Sequence, residues 1–494
     1  MNDALNIYII GKINVICDCL NLVIWKFCYI FAGAQKRIAL NNTRKYMKYA
    51  IVLVLAFMVN TSLLYAQSGG GKSSYSRFGV GLLTDQSQTW NKSMGGVGIA
   101  LPSGSKLNTM NPASYAYVDS LSIIFDVAMS GNFGQMSMGK NKVAVNNASF
   151  DYLVAGFRLH KNLGLAFGFR PYSSVDYNYY SSSNEVFRDE NTGELVRSWT
   201  NYLGTGGLHQ CFIGLGWKPF GNLSIGANAS VMWGGYDHVV MQEFTQDGTT
   251  TADFNGFNFL QHADVLTYKL DLGAQYVFRM TSQDWLTLGA TVGIGHHFDG
   301  DAYLYRYMST GDTLKVDNEG GFDIPMTYAG GVAWQHKNNL LVSADAHYQT
   351  WADCKVPAMV VTDGVVSYPS TDKMYKNNYL LKAGLEYTPN PLATRGYFNR
   401  VKYRFGVSYS SPYMMIPQGE SASMRTTEGP SELGLSLGFG FPISNRINAR
   451  SMVNLGVQWL RRSPSLQNLI TENYFIINVG VTFNERWFMK FKIQ

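Results

Sequence analysis

From residue 120 onward the chain repeats one pattern, an apolar side chain at every second position held for ten residues or more. Leu286, Leu288, Ala290, Val292 and Ile294 alternate with Thr287, Gly289, Thr291 and Gly293. Leu433, Leu435, Leu437, Phe439 and Phe441 alternate with Gly434, Ser436, Gly438 and Gly440. A period of two turns successive side chains to opposite faces, so these segments are strands and not amphipathic helices. They exceed the five or six residues usual in soluble sheets. The pattern predicts strands near 120–133, 147–159, 162–178, 200–217, 222–240, 262–279, 285–298, 322–335, 339–351, 377–388, 400–411, 431–443, 448–460 and 472–483.

The connections alternate in length. His160-Lys161, Lys218 to Gly221 and Gln335 to Asn338 are tight, whereas 134–146, 179–199, 241–261, 299–321, 352–376, 412–430 and 461–471 read as long polar loops. An even strand count with short turns at one end and long loops at the other is the layout of an outer-membrane barrel. The second face of each strand decides between this and a soluble sandwich. A face in water should carry Lys and Glu, but here Gly, Ser, Thr and Asn dominate. Charged residues make up only 15% of the chain, against roughly 25% in ordinary soluble domains. Trp217, Trp233, Trp334, Tyr348, Trp351 and Trp459 near strand ends suit interfacial aromatic girdles. The expected fold is all-β, a 14-stranded antiparallel transmembrane β-barrel with an N-terminal plug.

The N-terminus reads as a leader. Lys48 precedes the apolar run Ala50 to Val59, and Leu64-Tyr65-Ala66 offers a small residue before Gln67, the order of a secretory signal peptide. We therefore expect residues 1–46 to be a spurious upstream extension, 47–66 a signal peptide cleaved near Ala66, 67–119 a plug or hatch, 120–483 the barrel and 484–494 a short periplasmic tail. Residues 1–66 hold seven of the 40 Lys/Arg and two of the 34 Asp/Glu, which leaves 33 and 32 and a net charge of +1 instead of +6. The basic character belongs to the leader and is no argument for nucleic acid. Cys211 and Cys354 are the only thiols past it, too few for a disulfide framework.

Within 67–119, Ser93-Met94-Gly95-Gly96-Val97-Gly98 and Asn111-Pro112-Ala113 stand out. Together with Gly168-Phe169-Arg170-Pro171-Tyr172, the Ile324-Pro325 turn and Asp345, Tyr348 and Trp351, they resemble the long-chain fatty-acid outer-membrane transporter (FadL/TodX-like) family. That resemblance implies a hatch bearing a Gly-rich turn and an Asn-Pro-Ala motif, followed by a fourteen-stranded barrel. It implies a third strand kinked so as to open sideways to the bilayer. Met94, Gly95, Gly96, Gly98, Asn111, Pro112 and Ala113 are then candidate gating residues, and Gly168, Arg170, Pro171 and Tyr172 a candidate lateral opening. Proline within a sheet marks an edge or bulge. Phe475, Ile477, Val479, Val481 and Phe483 resemble the terminal signal by which the barrel assembly machinery recognises its clients.

Arg158, Lys269, Lys382 and Arg404 are candidate lumenal contacts for a carboxylate, although with Asp271 and Glu386 among them a charge ladder bracing wall and plug is the commoner explanation. Gly69 to Ser73 lacks the earlier glycine and preceding strand of a phosphate loop. Ser103 to Lys106 matches a serine–lysine tetrad by spacing alone, and His296-His297 has no third ligand at suggestive spacing. No catalytic residues, metal or cofactor are expected, and the chain is not read as an enzyme. The favoured function is passive uptake of a fatty-acid-like hydrophobic small molecule, with outer-membrane lipids as surroundings. The alternatives are a docking or shuttle component among secretion-system proteins (type IX-like), or a structural surface barrel.

Overall fold

The computed structural model describes residues 73–486 apart from 121, 189–194, 247–248, 251–256, 309–312, 363–364, 394, 419–424, 444–450 and 467–468. The leader and the last residues of the tail lie outside the described residues.

Fourteen antiparallel strands close into one barrel. They are β1 Ser122–Met138, β2 Asn141–His160, β3 Leu163–Pro171 continued by Ser173–Arg188, β4 Leu195–Phe220, β5 Leu223–Gln246, β6 Phe257–Arg279 and β7 Asp284–Ile294. There follow β8 Thr327–His336, β9 Leu340–Gln349, β10 Asn378–Tyr387, β11 Lys402–Ser410, β12 Ser431–Pro442, β13 Met452–Ser463 and β14 Thr471–Arg486. Each strand pairs with the next, and β14 returns to β1 from Ser122↔Arg486 to Ser137↔Thr471. The ring of pairings thus closes the sheet on itself, the arrangement by which β structure spans a hydrocarbon layer.

One face of the alternation points outward and stays exposed: Leu270, Leu272, Leu288, Val332, Leu381, Phe405, Leu435, Leu437, Val457 and Ile477 are all on it. A continuous exposed apolar belt of this extent has no place on a protein in water and is the lipid-facing surface of a membrane barrel. The small residues of the other face line the lumen.

Several strands run further than their alternation predicts. Residues 134–146, expected as a loop, are the upper part of the β1–β2 hairpin, which turns at Gly139 (φ 58°) and Lys140. The stretches 179–199 and 241–261 likewise contain the ends of β3, β4, β5 and β6. Strands of 26, 24 and 23 residues far exceed the 9–11 that cross a bilayer. Above the membrane both faces meet water, so the apolar alternation fades while the backbone ladder continues. The last strand also runs past Phe483 to Arg486.

Candidate functional site: the hatch and the break in the wall

The hatch is a compact, irregular segment inside the barrel. It comprises a 3-10 turn (Ser74–Arg77), a two-residue strand (Leu82–Leu83), one helical turn (Thr89–Lys92) and a second 3-10 turn (Pro112–Tyr117). Asn111 caps that last turn, accepting from the Ala113 N–H at 3.0 Å, and Pro112 sits at the first helical position, where proline's missing N–H costs nothing. Asn111 Nδ2 also donates to the Ile99 and Ala274 carbonyls at 2.8 and 3.1 Å, so one side chain ties two hatch segments to β6. Gly95 and Gly96 have φ of 72° and 80°, a turn that side chains resist. Beyond it the Gly98 and Ile99 N–H groups both donate to Asp345 Oδ2 of β9, at 2.6 and 2.9 Å.

The hatch fits because the wall is made of glycine where the two meet. A Cβ on Gly164 would strike the Tyr115 carbonyl, on Gly226 the Pro112 backbone, and on Gly289 the Ile99 carbonyl. On Gly384 and Gly406 it would strike Met94, and on Gly438 the Ser93 side chain. These glycines lie across from one another in the ladder (Gly226↔Gly273, Gly289↔Gly331, Gly384↔Gly406, Gly438↔Gly456) and form a belt around the lumen. The small face of the alternation is therefore a seat for the hatch backbone.

Charge locks the seat. Lys106 of the hatch donates to Glu386 of β10 at 2.9 Å; Arg404 and Lys402 of β11 reach the same carboxylate at 2.7 and 2.5 Å. Arg404 also donates to Asn454 at 2.8 Å. Burial pushes the Lys106 ammonium well below its ordinary range, and the neighbouring Lys402 and Arg404 add to this against the pull of Glu386. Lys92 pairs with Asp151 of β2 at 2.8 Å. Asp85 of the hatch lies 3.7 Å from Lys382. Enclosure in the lumen raises its carboxyl, but Lys382, Lys92 and hydrogen bonds from Ser87 outweigh that and hold it below 3.8. At the hatch's first described residues, Glu472 of β14 accepts from Ser73 Oγ, Ser74 N–H and Ser74 Oγ, and is paired with Arg462 at 3.2 Å.

Of the candidate carboxylate contacts, Lys382 and Arg404 thus face hatch and wall partners, and Lys269 is paired with Asp271. Arg158 is half-buried, with its Nε enclosed and without a hydrogen-bond partner. Among the described residues no group of three or more His, Cys, Asp or Glu is placed to hold a metal. His296 stacks on Tyr268, and His297 bonds Asp323 at 2.6 Å.

The wall is interrupted at Pro171. The β2–β3 ladder runs from His160↔Leu163 to Leu153↔Phe169 and goes no further among the described residues. Past Tyr172 the upper part of β3 still pairs with β4, but its other edge faces the hatch: Leu82↔Ser174 and Leu83↔Ser173. The Pro171 carbonyl accepts from Thr84 Oγ1 at 2.7 Å and Gln86 Nε2 at 3.0 Å, and the Tyr172 carbonyl from the Thr84 N–H at 3.0 Å. Ser73 and Ser76 satisfy the Asp176 backbone. Between the parted strands, Asn147 Nδ2 donates to Asp176 Oδ2 at 2.8 Å. Arg170, buried below the break, donates to the Gln86 carbonyl and Thr109 at 3.2 and 3.1 Å and lies 5.2 Å from the Phe212 ring. Gly206, Gly207 and Gly234 opposite the break have φ of 120°, 134° and 139°. The Gly-Gly doublets 206–207 and 234–235 inside strand patterns carried that signal, since glycine mid-strand marks a bulge or close approach.

Above the hatch strand, Tyr75, Tyr177, Tyr236, Phe322, Trp351 and Tyr375 form a buried cluster against which Leu82, Leu83, Tyr172 and Tyr413 pack. A cavity of about 30 Å³ lies between Tyr75, Leu82, Tyr413, Met414 and Arg462.

A hatch wedged into a fourteen-stranded wall is the geometry against which known proteins can be compared. The BamG family model matches residues 47–494. The chain belongs to the BamG family. No curated protein matches it. Solved structures share the fold of this BamG-family chain at low identity. One is the toluene transporter TbuX of Ralstonia pickettii, at 14% identity and a TM-score of 0.51, covering 80% of this chain and 97% of that one. A FadL homologue of Pseudomonas aeruginosa gives 14% and 0.52 over 83% and 99%. The toluene transporter TodX of P. putida gives 14% and 0.50 over 81% and 98%.

Proposed function

We propose that this chain is an outer-membrane channel for hydrophobic small molecules of the long-chain fatty-acid type. Such a molecule enters among the aromatic residues above the hatch, displaces the strand Leu82–Leu83 and leaves sideways at Pro171. The observation that carries the reading is the end of the β2–β3 ladder at Leu153↔Phe169, with the freed edge covered by two hatch residues. Two bridge pairs and a few side-chain bonds are a low-stability element, the kind that opens locally while the rest stays folded. An apolar ligand gains by exchanging water for an apolar path and then for the bilayer. The solved structures that share the fold include toluene transporters.

The test is to lock the hatch strand with Leu83→Cys and Ser173→Cys. Directly opposed residues in an antiparallel pair lie within disulfide reach. Uptake of labelled long-chain fatty acid and of labelled toluene is measured in cells carrying the native or locked barrel. The reading requires that oxidation abolish uptake and that a reductant restore it. Unchanged uptake with the disulfide verified by mass would refute exit past this strand.

A second reading, a docking component of a protein secretion system, is favoured by how firmly the hatch is seated in the lumen, where Lys106, Lys402 and Arg404 share Glu386. A protein co-purifying in stoichiometric amount, with no uptake in either state, would select it.

A further inference from the structure

The connection from Thr388 to Val401, between β10 and β11, differs from the other described turns at the short-turn end. Those close within a few residues, whereas this one forms a small folded unit. The Asn390 N–H donates to the Asn399 carbonyl at 2.8 Å and the Thr388 N–H to Asn339 at 2.7 Å. Gly396, with φ of 78°, opens a 3-10 turn over Tyr397–Arg400. Two tyrosines fasten it to the rim: Tyr397 Oη donates to the Pro442 carbonyl at 3.1 Å, and Tyr403 Oη to the Phe398 carbonyl at 3.3 Å. Tyr403 meets Phe439 edge to face at 5.9 Å, and Phe439 is part of the outward apolar belt, 45% exposed. The unit is therefore continuous with the lipid-facing wall.

What it presents there is apolar and cationic. Leu392 is 85% exposed and Phe398 70%. The connection contains no acidic residue and carries Arg395 and Arg400, the latter with its guanidinium 5.7 Å from the Tyr397 ring. The same end of the barrel bears Lys161, Lys218, Arg279 and Lys337, with Phe220 75% and Met280 63% exposed. Its acids are Asp284, held by His336 at 2.8 Å, Asp119 just before β1 and Glu485 near the end of β14. Short turns of such barrels face the periplasm. Exposed apolar side chains contiguous with the lipid belt, beside arginines whose planar guanidinium suits phosphate, match the headgroup boundary of that leaflet.

We propose that the described residues 388–393 and 395–401 form an interfacial wedge that seats Leu392 and Phe398 at the acyl boundary of the periplasmic leaflet and holds anionic phospholipid headgroups on Arg395 and Arg400. The proposal does not depend on what the barrel transports.

The test uses the full chain in bilayer discs of phosphatidylcholine, with or without phosphatidylglycerol. A nitroxide placed by Phe398→Cys, in a Cys211→Ser background, should be more accessible to oxygen than to an aqueous nickel chelate and lie roughly 5–10 Å into the boundary. Spin-labelled phosphatidylglycerol should associate in preference to phosphatidylcholine. With about 1 kcal/mol per basic residue near an anionic surface, Arg395→Gln with Arg400→Gln should weaken that preference about 30-fold, whereas the paired arginine-to-lysine changes should keep most of it. Unaltered heat-modifiable migration shows that the variants fold. A label in water in both bilayers, or a lipid preference that survives loss of both arginines, overturns the proposal. So does a label shielded only when periplasmic extract is added, which would assign the surface to a protein.

Discussion

Glu386→Gln is the sharpest probe of how the hatch is held. The substitution keeps shape and volume but removes the charge that faces Lys106, Lys402 and Arg404. The side chains of Lys106 and Arg404 are 7% and 0% exposed, so neither regains water, while Lys402 at 27% recovers part of its solvation. Breaking a buried pair by removing one partner costs about 3–5 kcal/mol, because the remaining charge is left buried. Arg404 cannot shed its charge and is left stranded, whereas Lys106, already pushed down by burial, can release its proton, so a loss within that range is expected. It should fall on hatch docking and not on the barrel ladder, which keeps its backbone bonds. The assay is protease cleavage of the hatch during urea titration in detergent, with heat-modifiable migration reporting the barrel. Lys106→Met alone removes one of three cations from a single carboxylate and should cost much less. The double variant Lys106→Met with Glu386→Gln should recover part of the loss, a coupling that a cycle isolates. If Glu386→Gln changes docking by less than about 0.5 kcal/mol, the range of ordinary surface substitutions, the charge cluster does not hold the hatch.

Acid should loosen a different corner. Asp85 has its carboxyl held below 3.8 by Lys382, Lys92 and Ser87; a depressed carboxyl stabilises the folded state above its unfolded value and loses that contribution as pH falls through the folded one. Protease accessibility near Asp85 is expected to rise below about pH 4, and Asp85→Asn should flatten that dependence. In the glycine belt, Gly226→Val places a branched side chain against the Pro112 backbone, and overpacking of this kind costs about 1–3 kcal/mol. Hatch protection should fall while the barrel migrates normally; Gly330→Val, where a Cβ meets nothing within 4 Å, should change neither.

Alternation within each strand determined the strand count, the closed antiparallel wall and which face meets lipid, because these depend on side-chain direction along a few consecutive residues. The Gly-rich turn and Asn-Pro-Ala drew attention to the hatch before its contacts were known. Where both faces meet water the local signal vanished, so 134–146 read as a loop although it is strand. The tertiary structure decided what sequence spacing cannot carry. Lys106 and Glu386 stand 280 residues apart, and nothing local distinguishes Arg404, spent on that carboxylate and Asn454, from Arg158. Glycines read as a small lumenal face proved to be a belt only once closure set Gly226 beside Gly273 and Gly384 beside Gly406. Pro171 was a legible edge signal. That the freed edge is taken up by Leu82 and Leu83 depends on how the hatch folds back through the lumen, a matter of packing that no run of consecutive residues encodes.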